Sequence, residues 1–469
     1  MWLGIVAVLG CIVALETRAD ARQTTTANTA SSAQPPAAPG QQTGATSTPV
    51  AKLVAKPVAK VGFARVVPGW PTWLTVTLVD RARVESVRLP GTTLAKYHGY
   101  VLNRFRLSTS VKATPWLQAT LQVQDSRARG YAVSAARTSM RNPLNLRIAA
   151  VEFGKKAPRG VSMIVGRQEL NFGDGRLMAS PDWGNVSRTY DAVRLAVYQP
   201  GVKFEAFGAA PVDVLTNGIW KSKVGDRVYG GWLTLDKVKP LGYVDVYTIA
   251  KFNATATGET GTKGNQAIYT IGVRAGGPVG KSVAWEADTA GQRGHSAADG
   301  MSGFATHEAM SWTIGSSVMK PKLGVEYNYE SGDTNPRDGT KHTFDQLYPS
   351  THAKWGLGDQ IGWRNMHHAA VKFEVSPTKS LKINTALNKL FLATVNDAWY
   401  GVSGLRVVVN RQATSRDLGW EPDVYATFAL TKNNTVGAGV AVLIAGDFVT
   451  QSTDVSRIWT PYLMWTGRF

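Results

Sequence analysis

The sequence predicts an all-β fold: a closed antiparallel transmembrane β-barrel of about 18 strands, with 16 as the competing even count. Three observations lead there. The chain ends in "SRIWTPYLMWTGRF", where Trp459, Pro461, Leu463, Trp465, Gly467 and Phe469 alternate with Thr460, Tyr462, Met464, Thr466 and Arg468. A terminus that is not tied down is ordinarily frayed and polar, so a period-two apolar strand running to the last residue needs a surface to cover. The same alternation recurs throughout the chain, with no linker after residue 66. Finally, 47 Gly, 15 Trp and 15 Tyr are generous counts, as expected where tight turns and interfacial aromatic girdles repeat.

Residues 2–15, WLGIVAVLGCIVAL, form an apolar stretch shorter than the ~20 residues of a membrane helix, followed by Ala19-Asp20-Ala21. That is the pattern of a signal peptide, residues 1–21, with cleavage before Arg22. Cys11 is the single cysteine, so no internal disulfide forms. Residues 22–65 are Thr, Ala, Ser, Gln, Pro and Gly, with Lys52, Lys56 and Lys60 evenly spaced. Such a composition cannot bury enough apolar surface to offset chain entropy, and it reads as a disordered leader. The formal net charge is +19. Residues 66–469 keep 46 Lys and Arg against 31 Asp and Glu, so the positive excess belongs to the folded part and favours anionic partners. Export excludes nucleic acid as that partner.

Within 66–469 the strands follow one another. In 101–111, Val101, Asn103, Phe105, Leu107 and Val111 occupy one face while Arg104 and Arg106 occupy the other. In 117–124, Leu117, Ala119, Leu121 and Val123 oppose Gln118, Thr120, Gln122 and Gln124. Asp191, Val193, Leu195 and Val197 oppose Arg194, and Val283, Trp285 and Ala287 oppose Glu286 and Asp288. Further strands are expected near 73–84, 146–153, 161–169, 202–209, 228–236, 243–252, 268–275, 302–314, 322–329, 368–375, 381–391, 402–409, 422–430, 436–444 and 457–469, separated by Gly, Pro, Asn and Asp clusters. A soluble sandwich also alternates, but a chain this long would divide into domains with separate cores. A barrel in lipid must close, because an open edge leaves backbone groups unpaired at several kcal/mol each. About 22 residues per strand and connection then gives roughly 18 strands.

A barrel of this width encloses water, so Arg104, Arg106, Arg194 and Arg274 are expected to line or border the lumen. Guanidinium groups stay charged and hold carboxylates in a fork, which favours anions. Arg167 and Glu169 share a face with Val161, Met163 and Val165, which blurs the alternation of 161–169. No G-x-S-x-G elbow accompanies His307, His342, His352, His367 and His368, and the adjacent His367 and His368 point to opposite faces of a strand. The stretch from Asp333 to Gly339 departs from a calcium loop, with its glycine one place late and Arg337 at a ligand position. No catalytic, cofactor or metal site is expected.

Two long stretches carry a resemblance. They are "VGRQELNFGDGRLMASPDWGNVSRTYDAVRL" (165–195) and "YNYESGDTNPRDGTKHTFDQLYPSTHAKWGLGDQIGWRNMH" (327–367), supported by "QVQDSRA", "LRIAAVEF" and "AGDFV". They resemble the alginate-export family of outer-membrane barrels, in which G-R-Q-E-L, G-D-x-R-L, W-x-N-x-x-R-x-F/Y-D-x-x-R-L, Y-x-x-x-S-G-D, T-F-D-x-L-Y-P and G-W-x-N recur in this order. The resemblance implies a monomeric barrel of the outer membrane that passes an anionic polysaccharide, an alginate-like polyuronate, by passive diffusion. It implies that Arg167, Arg176, Arg188 and Arg194 are cationic groups at or near the constriction, with Glu169, Asp174 and Asp191 as their partners. The terminal aromatic pattern ending in Phe469 resembles the signal read by the outer-membrane insertion machinery. Lipid of the outer membrane is the remaining partner. A general small-anion porin and a non-conducting structural barrel are the alternatives. The segment "GDGRLMASPDWGN" suits either an inward-folded or an external loop.

Overall fold

The computed structural model describes residues 71–469 apart from 89, 91–97, 131–138, 157, 216–219 and 316. The expected signal peptide and leader lie outside the described residues. Eighteen strands form the barrel. The first six are β1 (Leu74–Val87), β2 (His98–Thr114), β3 (Leu117–Arg129), β4 (Asn142–Gly154), β5 (Gly160–Gln168) and β6 (Tyr190–Gln199). Next come β7 (Val202–Asp213), β8 (Arg227–Val238), β9 (Gly242–Thr257), β10 (Lys263–Val279), β11 (Val283–Ser296) and β12 (Asp299–Thr313). The last are β13 (Lys322–Glu330), β14 (Met366–Val375), β15 (Leu381–Leu392), β16 (Asp417–Ala429), β17 (Asn434–Ala445) and β18 (Arg457–Arg468).

Each barrel strand pairs antiparallel with the next, and β18 returns to β1 in the register Ala82↔Trp465 and Val84↔Leu463. Closure continues to the last residue. Leu78 and Phe469 exchange both backbone hydrogen bonds at 2.8 Å. No edge is left to face hydrocarbon, which is the condition for a sheet in lipid.

The expected strand at 402–409 is not a barrel strand. Only Arg406–Val408 is extended, and it pairs with Trp399–Tyr400 inside a loop. A β-branched run has strand propensity, but propensity is overridden when no barrel neighbour is available to it.

Connections alternate in length. At one end the strands are joined by short turns, such as 115–116, 200–201, 239–241 and 430–433, whereas long segments, 169–189, 331–365 and 393–416, all lie at the other. The helix α1 (Asp447–Ser452) belongs to the long-loop end as well. Short turns mark the periplasmic side of such barrels and long loops the outside.

The faces are inverted relative to a soluble protein. Leu121, Val165, Val193, Ile271, Val325, Val371, Val424 and Leu463 are exposed on the outer surface, while Arg81, Arg104, Gln124, Asp245, Asp288, His307, Asn328 and Glu421 are buried on the inner one. Aromatic residues border the apolar band: Trp73, Trp116, Trp312, Phe373, Phe428 and Phe469 toward the turns, Phe304, Phe391, Trp420 and Trp459 toward the loops. The apolar core lies inside the barrel, where residues of 169–189 and 331–365 pack on the wall. There Phe172 stacks on Phe207 with centroids 4.8 Å apart, Trp232 stacks on Tyr247 at 4.3 Å, and Phe344 meets Trp363 edge-on.

Candidate functional site: a lumen crossed by two loops

The segment left open by sequence folds inward. Residues 169–189, called loop A, and residues 331–365, called loop B, meet through a parallel bridge, Met178↔Tyr348. The Ala179 N–H donates to the Tyr348 carbonyl at 2.8 Å, the Tyr348 N–H to Leu177 at 2.9 Å, and the Ser350 N–H to Gly175 at 2.8 Å. Together they make one plug, anchored on opposite walls.

One anchor is an arginine cluster on β1, β2 and β4. Arg81 donates to the carbonyls of Asp182 and Trp183 at 2.8 Å each, and Arg83 donates to the Trp183 carbonyl at 2.8 Å while its guanidinium lies 3.5 Å from the centre of that ring. Arg104 reaches the Asp182 carbonyl at 2.7 Å and its carboxylate at 2.9 Å, and Arg106 reaches the same carboxylate at 2.5 Å. Arg147 donates to Ser187 Oγ and pairs with Glu169. These guanidinium groups are buried, whereas the Asp182 side chain is 40% exposed. Burial disfavours ionisation of Asp182, but Arg104, Arg106 and Arg81 outweigh it and hold the carboxyl well below the usual carboxylate range.

The other anchor is a belt of residues that face one another strand to strand. Asp245 (β9), Arg274 (β10), Asp288 (β11), His307 (β12), Asn328 (β13) and His368 (β14) are successive register partners. Loop A docks here through Arg176, whose guanidinium bonds Asn328 Oδ1 at 3.0 Å, His307 Nε2 at 3.1 Å and Glu326 at 3.2 Å. Asp174 pairs with Arg176 at 2.7 Å and with Lys354 of loop B at 3.1 Å. Burial opposes its charge too, yet Arg176 and Lys354 depress it well below the carboxylate range. Arg274 pairs with Asp245 at 3.2 Å and with Glu286.

Loop B is held at further points. Asp345 accepts from Lys251 at 2.9 Å and from Arg364 at 2.7 Å. On β16, Asp423 and Glu421 accept the N–H groups of Leu357 and Gly358 at 3.2 and 2.9 Å. A Cβ at Gly356, which has φ +114°, would lie 2.2 Å from Glu421 Oε1, so only glycine lets the loop pass so close. His352 bonds Asp359 at 2.5 Å and stacks on Trp183 at 4.5 Å, which ties loop B to the arginine anchor.

The sequence-derived candidates distribute unevenly. Arg104, Arg106, Arg176, Arg194, Arg274 and Glu286 face inward, but each of these arginines already meets a carboxylate. Arg194 pairs with Glu205, not with Asp191. Arg188 bonds the carbonyls of Ala179 and Pro349 at 3.2 Å and lies over the Tyr348 ring at 5.5 Å. Arg167 is on the outer face with Val161, Met163 and Val165, in a two-pronged pair with Asp191 at 2.7 and 2.9 Å. It therefore does not border the constriction: strand alternation places it outside, and Asp191, its register partner, satisfies it there.

Sequence reasoning missed Arg81, Arg83, Arg147 and Asp182. A signal existed in "DRARVES", where Arg81, Arg83 and Glu85 share one face of β1. Among the described residues, Asp174, Glu286 and His307 have donor atoms within 4.8 Å of one another. Arg176, Lys354 and Arg274 already engage them, so the set does not suit a metal ion.

The Alginate export family profile matches residues 72–459. Among solved structures, the outer membrane protein opdK from Pseudomonas aeruginosa is similar, at 11% identity and TM-score 0.56 over 84% of this chain and 98% of that one. OccK2 (OpdF) from Pseudomonas aeruginosa is similar at 10% identity and TM-score 0.54, over 84% and 97%, and a BenF-like porin from Pseudomonas fluorescens Pf-5 at 11% and 0.56, over 84% and 98%. No curated protein sequence gives a significant match. The profile covers most of the chain and the barrel matches outer-membrane porins: this is an outer-membrane channel, and it belongs to the alginate export family.

Proposed function

We propose that the channel passes an anionic polysaccharide of the polyuronate class by passive diffusion, as a monomer, along the arginines of β1, β2 and β4. The observation that carries this reading is the seat of Asp182: a partly exposed carboxylate in the lumen held between Arg104 and Arg106. A uronate carboxylate offers the same fork of oxygens to the same guanidinium groups. Arg188 and Arg194 extend the track, while Phe469, at the seam, serves insertion into the membrane.

The test is single-channel recording in a planar bilayer with polyuronate added to one side. Anion-preferring current, blocked by polyuronate at concentrations where a neutral polysaccharide of equal length has no effect, is the expected result. Cation preference, or equal block by both polymers, would overturn it.

Passage of small carboxylates is the second reading. Among the similar barrels, OccK2 (OpdF) has been solved in complex with glucuronate and OpdK with vanillate. Glucuronate permeation without polymer block supports this reading over the first, and absence of any current supports a structural barrel.

A further inference from the structure

The outer surface carries a feature that the conduction path does not use. At the long-loop end of β3 and β4, three arginines stand together: Arg127 and Arg129 on the outer face of β3 and Arg141 immediately before β4. Ser126 is the register partner of Asn142, so antiparallel pairing brings Arg141 beside Arg127. Like charges across a strand pair repel. Asp125 holds Arg127 at 2.6 and 2.7 Å. Arg129 and Arg141 make no ion pair among the described residues, which leaves the patch positive.

The level of this patch is that of the loop-side girdle. On β12, β15, β16 and β18 that level holds Phe304, Phe391, Trp420 and Trp459. On β3 and at the start of β4 it holds arginines. Directly below, Leu121, Leu144, Leu146, Met163 and Val165 are exposed, Leu144 at 68%. An occupant therefore has acyl chains against the leucines and an anionic head against the guanidinium groups. Guanidinium matches phosphate oxygens in pairs. Basic clusters at a membrane surface bind anionic lipid heads for the same reason.

We infer that the outer face of β3 and β4 is a binding site for the phosphorylated headgroup of an outer-leaflet glycolipid, with Arg129 and Arg141 as the phosphate-binding groups and Arg127 flanking them. The site is independent of the lumen.

The test is native mass spectrometry of the full-length barrel in detergent, titrated with a bisphosphorylated glycolipid and with the same lipid enzymatically dephosphorylated. The wild type should retain the phosphorylated lipid and release the other. Arg129→Gln/Arg141→Gln should weaken retention at least about tenfold, whereas Arg293→Gln, an outward arginine on β11, should not. Should the double variant fail to insert, the exposed Arg129→Gln alone decides, with a smaller loss expected. Equal retention of both lipids, unchanged retention in the variants, or displacement of the lipid by inorganic phosphate or soluble polyuronate would each overturn the inference.

Discussion

The two walls that hold the plug do so with opposite chemistry. On β1, β2 and β4, Arg81, Arg83, Arg104, Arg106 and Arg147 share the inner face with Glu85, and loop A brings Asp182 and Glu169 to them. On β9–β13, Asp245, Glu286, Asp288, Glu326 and Glu330 share the inner face with Arg274 and Lys251, and the loops bring Arg176 and Lys354. With Asp174 counted beside Arg176 and Lys354, the two loops together carry a net charge opposite in sign to each wall they touch. Such a pair of loops is oriented by the field of the barrel, and moving them aside would uncover a positive wall facing a negative one. A lumen of that kind imposes a transverse field on a passing solute, and clefts with low-dielectric walls concentrate it.

The strongest way to break the comparison is to remove the loop. Replacing residues 172–186 with a short Gly-Ser link should raise single-channel conductance severalfold, because the segment crosses the lumen from Arg176 at one wall to Asp182 at the other. Unchanged conductance would mean that ions pass around the plug.

Next comes the sign of selectivity. Arg104→Gln/Arg106→Gln should lower anion-over-cation permeability, and Glu286→Gln/Asp288→Asn on the opposite wall should raise it. A unit charge about 8 Å from the path at an effective dielectric of about 40 contributes about 1 kcal/mol, roughly fivefold in the permeability ratio. Reversal potentials in a salt gradient measure it. Shifts in the same direction for both variants would refute the two-wall picture.

A smaller effect separates inside from outside. Arg194→Gln should shift the reversal potential, whereas Arg167→Gln should leave it unchanged and cost about 1 kcal/mol of stability through its pair with Asp191. The temperature at which the folded band is lost in heat-modifiability gels reports that cost.

The smallest expected effect is on pH. Glu259, in the connection after β9, is pushed up to about 7 by burial and by its contact with Asp333 of loop B. Its folded state binds a proton more tightly than its unfolded state. The contact is therefore fully stable below about pH 4.5 and weakens as pH rises through about 7. Hydrogen exchange of 258–262, corrected for intrinsic rates, should show less protection at pH 8 than at pH 5.5, and Glu259→Gln should abolish the difference.

Much of this can be read in the chain, and the unread part has a physical pattern. Period-two alternation alone assigns Arg104, Arg106, Arg194 and Glu286 to an inner face, and the structure has them there. Where alternation is blurred, at Arg167, the lumen assignment is incorrect, because the residue lies outside and is satisfied by a partner 24 positions away. The run at 402–409 has the residue types of a strand, yet Val407 is buried within a loop.

The amino-acid sequence by itself determined the barrel, its closure and the polarity of its faces. Side-chain direction along a strand is set by covalent geometry, and lipid forbids any unpaired edge. Only the tertiary structure decided that 169–189 turns inward, that Asp182 rests on Arg104 and Arg106, and that Arg176 reaches Glu326, 150 positions away. Those pairings depend on which strands closure brings face to face across the lumen, a property of the assembled wall that no local window of residues contains.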